Sequence, residues 1–277
     1  MLRQQPGRVI DAGCGSGRFA AAVARRSKSI PVVAVDIDPL ATLMTRAVLA
    51  TLGATNAIVL PCDFTQLSLP AIDGRTAYIG NPPYVRHHDL PADLKAWSVA
   101  TARRLGHRAD TFTLAGLHAV FYVAIAAHAA TGDVGCLVTS QEWLDTVYGA
   151  VIRGLLLNGL GGRAIHIVDP TAVPFSDAMT TAAISCFEVG AELAAMRLNV
   201  VQSTAALGDL DAGSLVSRES LTRATHWSRL ALTGAEPAVD ADSIALYGAS
   251  GAEVRLESGQ ARPYQRRSRD LPTPAVA

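Results

Sequence analysis

Asn81-Pro82-Pro83-Tyr84 is the stretch of this chain best suited to chemistry, and it follows the short apolar run Tyr78-Ile79-Gly80, where a strand would end. Proline has no backbone donor, and the residue before a proline is pushed out of the helical region. The loop is therefore stiff and extended, with outward carbonyls that no helix consumes. Such a rim suits a ligand that offers hydrogens, and a planar amine offers two. Tyr84 adds a flat face on which an aromatic ring could stack. These residues read as a pocket for an amino-bearing heterocycle; a proline-rich turn with a packed tyrosine is the plainer alternative.

Three more clusters fall where strands would end. Arg8-Val9-Ile10 leads into Asp11-Ala12-Gly13-Cys14-Gly15-Ser16-Gly17, and an alanine-rich helix follows from about Phe19 to Arg26. Alternate glycines let the backbone turn sharply and approach a ligand, the nucleotide-binding geometry of a parallel sheet. The spacing is neither that of dinucleotide enzymes nor that of a phosphate loop, so NAD and ATP are excluded as first choices. Asp36 ends a second apolar run, Pro31 to Val35, and is placed to accept from two ribose hydroxyls. Asp36 is preferred to Asp38 because it directly follows the run. Asp63 ends a third run, Ala57 to Pro61, where it could take the hydrogens of an adenine amine while Phe64 covers a ring face.

The order of these motifs resembles the N6-adenine DNA methyltransferases of restriction–modification systems, gamma class, in which the cofactor motif precedes the catalytic loop. The resemblance extends through Val85-Arg86, through Gly135 to Asp145 with Tyr148-Gly149 and Arg153 to Leu157, and through Val173 to Ala183. It implies S-adenosyl-L-methionine as cofactor, held by Asp11, Ala12, Gly13, Gly15, Asp36, Ile37, Asp63, Phe64 and Asn81. It also implies that Asn81, Pro82, Pro83 and Tyr84 form the catalytic loop, and that Tyr84, Phe175 and Arg86 hold a base turned out of DNA. In that family the Asn81 side chain and the Pro82 carbonyl would accept both N6 hydrogens, returning electron density to the nitrogen. An N5-glutamine protein methyltransferase or an RNA base methyltransferase would use the same loop. A silent nucleic-acid-binding subunit is the reading from another class. Family members carry a segment before the glycine turn and a large target-recognition part, so a specificity or completing subunit is an expected partner.

At 277 residues the chain can hold one α/β domain and something smaller. The expected division is residues 1–190 as catalytic domain, 191–261 as a short target-recognition region, and 262–277 as a loose tail. Formal net charge is zero, so DNA contact would need a local basic face. Lys95, Arg86, Arg103, Arg104 and Arg108 form one candidate group, and Arg255, Arg262, Arg266, Arg267 and Arg269 another. Solvated surface arginines are the more common explanation of such groups.

Cys14, Cys62, Cys136 and Cys186 have neither zinc-site nor disulfide-framework spacing, consistent with thiols in a reducing cytoplasm. His87-His88-Asp89 reads as a polar loop, not a metal site. Residues 1–7 lack the apolar core of a signal peptide. Leu114 to Ala130 is too short for a membrane span, and reads as a buried helix capped by Asp110-Thr111.

The elements that would position the motifs alternate. Strands are expected near 8–11, 32–36, 57–61, 76–80, 134–139, 164–168 and 181–188, and helices near 17–26, 39–52, 92–105, 111–130 and 141–158. Alternation predicts a Rossmann-like, class I methyltransferase α/β fold, mostly parallel with helices on both faces, and with an antiparallel edge near 164–188. After Gly190 the pattern weakens, and Ser203 to Thr233 cannot be placed.

Overall fold

Short runs of five residues with apolar centres form β1 (Arg8–Ala12) and β2 (Val32–Asp36), with β3 (Ala57–Pro61) and β4 (Thr76–Gly80) completing a parallel quartet. The structure is a computed structural model that describes residues 6–169, 181–208, 211–233, 243–247 and 253–257. Crossovers are made by α1 (Arg18–Arg26), α2 (Pro39–Thr51), α3 (Ala92–Arg104) and α4 (Leu117–His128). The Asp38 side chain accepts from Leu40 N at 2.8 Å and caps α2, with Pro39 in the first turn. Asp38 is thereby spent on its helix, and Asp36 is left facing the glycine turn.

β5 (Val134–Ser140), α5 (Ala150–Leu157), β6 (Gly162–Val168), β7 (Ala182–Glu188), β8 (Ala195–Val201) and β9 (Ser214–Ser217) extend the sheet. The strand order is β3-β2-β1-β4-β5-β7-β6-β8-β9, and β7 is antiparallel to both neighbours. The expected α/β fold is present with an antiparallel edge strand, but that strand is β9, paired to β8, and not the pair expected near 164–188. β7 lies between β5 and β6, and β8 and β9 continue the sheet from residues that the sequence pattern left unplaced. α6 (Arg218–Arg223) and α7 (Trp227–Thr233) follow. Contacts divide the chain into Met1–Glu236 and Pro237–Ala277; the described part of the second unit is the antiparallel hairpin β10 (Ser243–Tyr247) and β11 (Glu253–Glu257). The expected tail from residue 262 lies outside the described residues.

Two expected helices are shorter than their apolar patterns. Helix α4 begins at Gly116 without a side-chain cap, because Phe112–Leu114 forms a separate 3-10 turn after Asp110-Thr111. Residues 141–149 are not helical either: Glu142–Leu144 is a 3-10 turn, and α5 starts only at Ala150. The cause is tertiary. The buried Arg153 guanidinium donates to the carbonyls of Trp143 (2.7 Å), Leu144 (3.1 Å) and Thr146 (3.2 Å), groups that a continuous helix would have consumed.

The core lies on both sides of the sheet. Tyr122, Trp143, Ile152, Leu155, Phe187 and Trp227 fill one cluster, and Val9, Ala20, Val23, Val32, Ala34 and Leu49 the other. α4 is buried from His118 to Ile125, as expected of a helix laid against the sheet. Among the described residues no helix is long and apolar enough to cross a membrane. Along β5 and β7 burial alternates: Leu137, Ala183 and Phe187 are buried, while Cys136, Val138, Ile184 and Cys186 on the opposite face are partly exposed.

Candidate active site

The motifs converge along the carboxyl ends of β1, β2, β3 and β4, the edge where open α/β sheets bind ligands. Gly13, Gly15 and Gly17 adopt φ of 70°, 53° and 78°, left-handed values that favour glycine. The turn is pinned to β2 from several directions. Gly13 N and Cys14 N both donate to Val35 O at 2.9 Å, and Gly15 N donates to Asp36 Oδ2 at 2.8 Å. Asp36 Oδ1 accepts from Asp38 N at 3.0 Å. A carboxylate has about four lone-pair sites, so Asp36 retains acceptor capacity beyond these two bonds. Ile37 beside it is 72% exposed.

Asp11 is fully buried at the end of β1. Its Oδ2 accepts from Ala20 N at 2.8 Å, tying down an orphan donor in the first turn of α1. Its Oδ1 is buried without a partner. Desolvation raises the Asp11 carboxyl from 3.8 to about 7, outweighing the Ala20 hydrogen bond, and the nearby Asp36 charge adds to the rise. Ala12 is buried next to it, and its carbonyl shapes the neighbouring strand. A Cβ on Gly80 would lie 2.5 Å from Ala12 O, so only glycine lets β4 pass β1 this closely just before Asn81.

Asn81 carries the most telling atom of the site. Its side-chain Oδ1 is buried and has no hydrogen-bond partner. Buried acceptors are almost always satisfied, and an orphan in a loop at a ligand-binding edge marks a waiting contact. Pro82 behind it is buried, while Pro83 and Tyr84 are exposed, Tyr84 by 40%. Burial of part of its ring pushes the Tyr84 phenol up to about 12, so it stays protonated.

Tyr84, Val85, Arg86, His87, His88, Leu114, Gly116, His118, Ser140, Glu142 and Tyr148 line a cleft of about 760 Å³. Pockets of this volume accommodate drug-sized ligands. His118 at the start of α4 lies with its ring centroid 6.2 Å from that of Tyr84 and 6.5 Å from that of Tyr148. Its Nε2 is buried and unpartnered, and burial lowers the imidazole from 6.5 to about 4, which keeps it neutral. The 3-10 turn that Arg153 holds carries Glu142 into the same cleft. His87–Asp89 forms a 3-10 turn on the rim, and among the described residues no group of three ligands could hold a metal ion.

Asp63 caps the turn Phe64–Gln66, its Oδ1 accepting from Thr65 N at 2.8 Å and Thr65 Oγ1 at 2.9 Å. That turn rolls Phe64 inward. The ring is 3% exposed and stacks on Phe121, with centroids 5.3 Å apart and planes 12° from parallel. Phe64 therefore lies beneath the edge instead of facing it. Phe121, which the sequence pattern marks only as core, is the ring nearest the glycine turn. A Cβ on Gly13 would lie 3.4 Å from its Cε1 and 3.4 Å from Pro83 Cδ. Phe175 lies outside the described residues.

Residues 9–104 match the family described as methyltransferase domain. The chain is 44% identical over 224 residues to the type II methyltransferase M.XamI of Xanthomonas campestris pv. amaranthicola, a match covering 80% of this chain and 42% of that protein. It thus spans less than half the length of this relative. Among solved structures, a candidate class I S-adenosylmethionine-dependent methyltransferase of Listeria monocytogenes superposes with a TM-score of 0.56 at 18% identity, covering 73% of this chain and 61% of that one. A type I restriction–modification methyltransferase subunit of Streptococcus thermophilus gives 0.55 at 14% identity, over 68% of this chain and 40% of that one. This chain is a homologue of a type II methyltransferase, built on the Rossmann-like class I methyltransferase fold.

Proposed function

We propose that this chain transfers a methyl group from S-adenosyl-L-methionine to N6 of an adenine turned out of duplex DNA. The observation that carries this reading is the buried, unpartnered Oδ1 of Asn81 beside an open cleft that begins at Tyr84. The residues at the sheet edge fit the cofactor: a left-handed glycine turn, the Asp36 carboxylate, the unsatisfied Asp11 Oδ1 and the Phe121 ring. When bound, S-adenosylmethionine supplies an electrophilic methyl group on a sulfonium.

The chain's own residues do the rest. Asn81 Oδ1 and the Pro82 carbonyl accept the two N6 hydrogens, which draws lone-pair density back onto nitrogen. The fixed loop holds that nitrogen in place, so the barrier falls through positioning and not through a strong general base. Tyr84 stacks on the extruded base and offsets part of the unstacking cost, at about 1–3 kcal/mol per base. Phe175 is assigned to the opposite face and Arg86 to the cleft rim, near phosphate or base. Asp36 holds the ribose, Ile37 and Phe121 the adenine faces, and Asp63 the adenine amine. Reading of the DNA sequence falls to residues 191–261 or to a specificity subunit, in a cytoplasmic restriction–modification setting.

Nucleoside mass spectrometry of unmethylated duplex DNA incubated with the chain and S-adenosylmethionine tests the reading. N6-methyladenine is expected. A methylated cytosine instead, or methylated glutamine in a protein substrate with DNA untouched, would overturn the adenine assignment.

A further inference from the structure

Cys136 on β5 and Cys186 on β7 face each other in antiparallel register. Their sulfurs lie 3.6 Å apart, in hydrogen-bonding contact. The pair joins positions 50 residues apart, so no short spacing marks it in the sequence. β6 brings a third group, His166, whose proximity helps lower the Cys186 thiol. The Nδ1 of His166 in turn lies 3.4 Å from Nδ2 of Asn199 on β8. An amide nitrogen only donates, so Nδ1 accepts and the ring proton sits on Nε2.

In the sulfur–sulfur contact Cys186 Sγ donates to Cys136 Sγ, and either thiol can carry the shared proton. The Cys136 hydrogen bond first, and then His166, hold its thiol below the ordinary range against the opposing effect of burial. The same Cys136–Cys186 bond, with burial, pushes the Cys136 thiol well up. One sulfur inclined to ionise beside one that keeps its proton is the pairing of an attacking and a resolving thiol. Both residues lie on the less buried face of the sheet and are of intermediate burial. Cys14, by contrast, is buried and bonded to Thr45 Oγ1 at 3.5 Å.

We propose that Cys136 and Cys186 are a peroxide-sensitive dithiol that closes to a cross-strand disulfide between β5 and β7. The Cys186 thiolate attacks one oxygen of hydrogen peroxide; the O–O bond breaks, hydroxide leaves, and a sulfenic acid forms. The Cys136 sulfur then attacks the Cys186 sulfur, the S–O bond breaks, and the hydroxyl leaves with the Cys136 proton as water. Overall, two thiols lose two electrons and two protons, and one peroxide becomes two waters. The strands are already paired in register, so closure needs rotation of two side chains and no new strand contact.

The test is a thiol map of the full reduced chain before and after hydrogen peroxide, with free thiols alkylated and the digest read without reductant. The expected product is a linked Cys136–Cys186 peptide pair, lighter by two hydrogens and released by dithiothreitol, with Cys14 and Cys62 still alkylated. In Cys136→Ser, with fold checked by circular dichroism, Cys186 should stop at a sulfenic acid that dimedone captures. If Cys136→Ser does not fold, the map of the parent chain decides alone. Alkylation of both Cys136 and Cys186 at peroxide doses that oxidise free glutathione would overturn the proposal. So would cross-links spread among all four cysteines.

Discussion

Asn81, Asp36 and Asp11 differ in what their oxygens already hold. Asp36 spends two bonds on the glycine turn and its own loop, and keeps acceptor capacity beyond them. Asp36→Ala is expected to weaken S-adenosylmethionine binding by about 10–100-fold, the effect of losing charge-assisted bonds. Calorimetric titration checks this, and unchanged affinity would remove Asp36 from the ribose site. Asp11 predicts a pH effect. Its carboxyl is raised from 3.8 to about 7, so the stability it confers is full below about pH 4 and is lost as pH rises through 7. The parent's melting temperature should fall relative to that of Asp11→Asn between about pH 4 and about pH 8; parallel curves would contradict the burial argument. These acids were legible because each follows an apolar run. Phe121 was not, since an aromatic within a uniformly apolar helix looks the same whether it packs a core or borders a ligand. Phe64, beside Asp63, stacks on Phe121, and both rings are buried.

At the scale of elements, the sheet edge positions the motifs and the loop after β5 closes the cleft. Arg153 holds that loop through three carbonyls, and Trp143 in it donates from Nε1 to Thr139 Oγ1 at 3.0 Å. Arg153→Met is expected to lower stability by about 3 kcal/mol, because buried carbonyls lose their donor. Denaturant unfolding checks the value, and a loss below about 0.5 kcal/mol would make the bonds incidental. The parallel strands β1 to β5 could be placed from sequence because glycines, prolines and acids punctuate their ends. The helix expected over 141–158 was misleading for a tertiary reason: periodicity is blind to a guanidinium arriving from the next turn of chain. β8 and β9 escaped notice because their alternation is short and mixed with polar residues such as Arg197, Asn199 and Ser214.

For the unit Met1–Glu236, β8 and β9 beyond Gly190 belong to the sheet that carries the candidate site. β8 pairs with β6, and Trp227 of α7 is fully buried with its ring 6.5 Å from that of Trp143. Trp227→Ala is therefore expected to cost about 3–5 kcal/mol, as for other buried aromatic truncations. A loss under about 1 kcal/mol in the same unfolding assay would show that α7 is an appendage. The proposed adenine chemistry rests on one oxygen, Asn81 Oδ1. The most direct test is Asn81→Ala compared with the parent in single-turnover methyl transfer to duplex DNA, with S-adenosylmethionine affinity measured on both. The account predicts transfer slowed by about 100–1000-fold, the effect of removing a preorganised partner of the reacting group, with cofactor affinity largely kept. Equal turnover by the two proteins would contradict it.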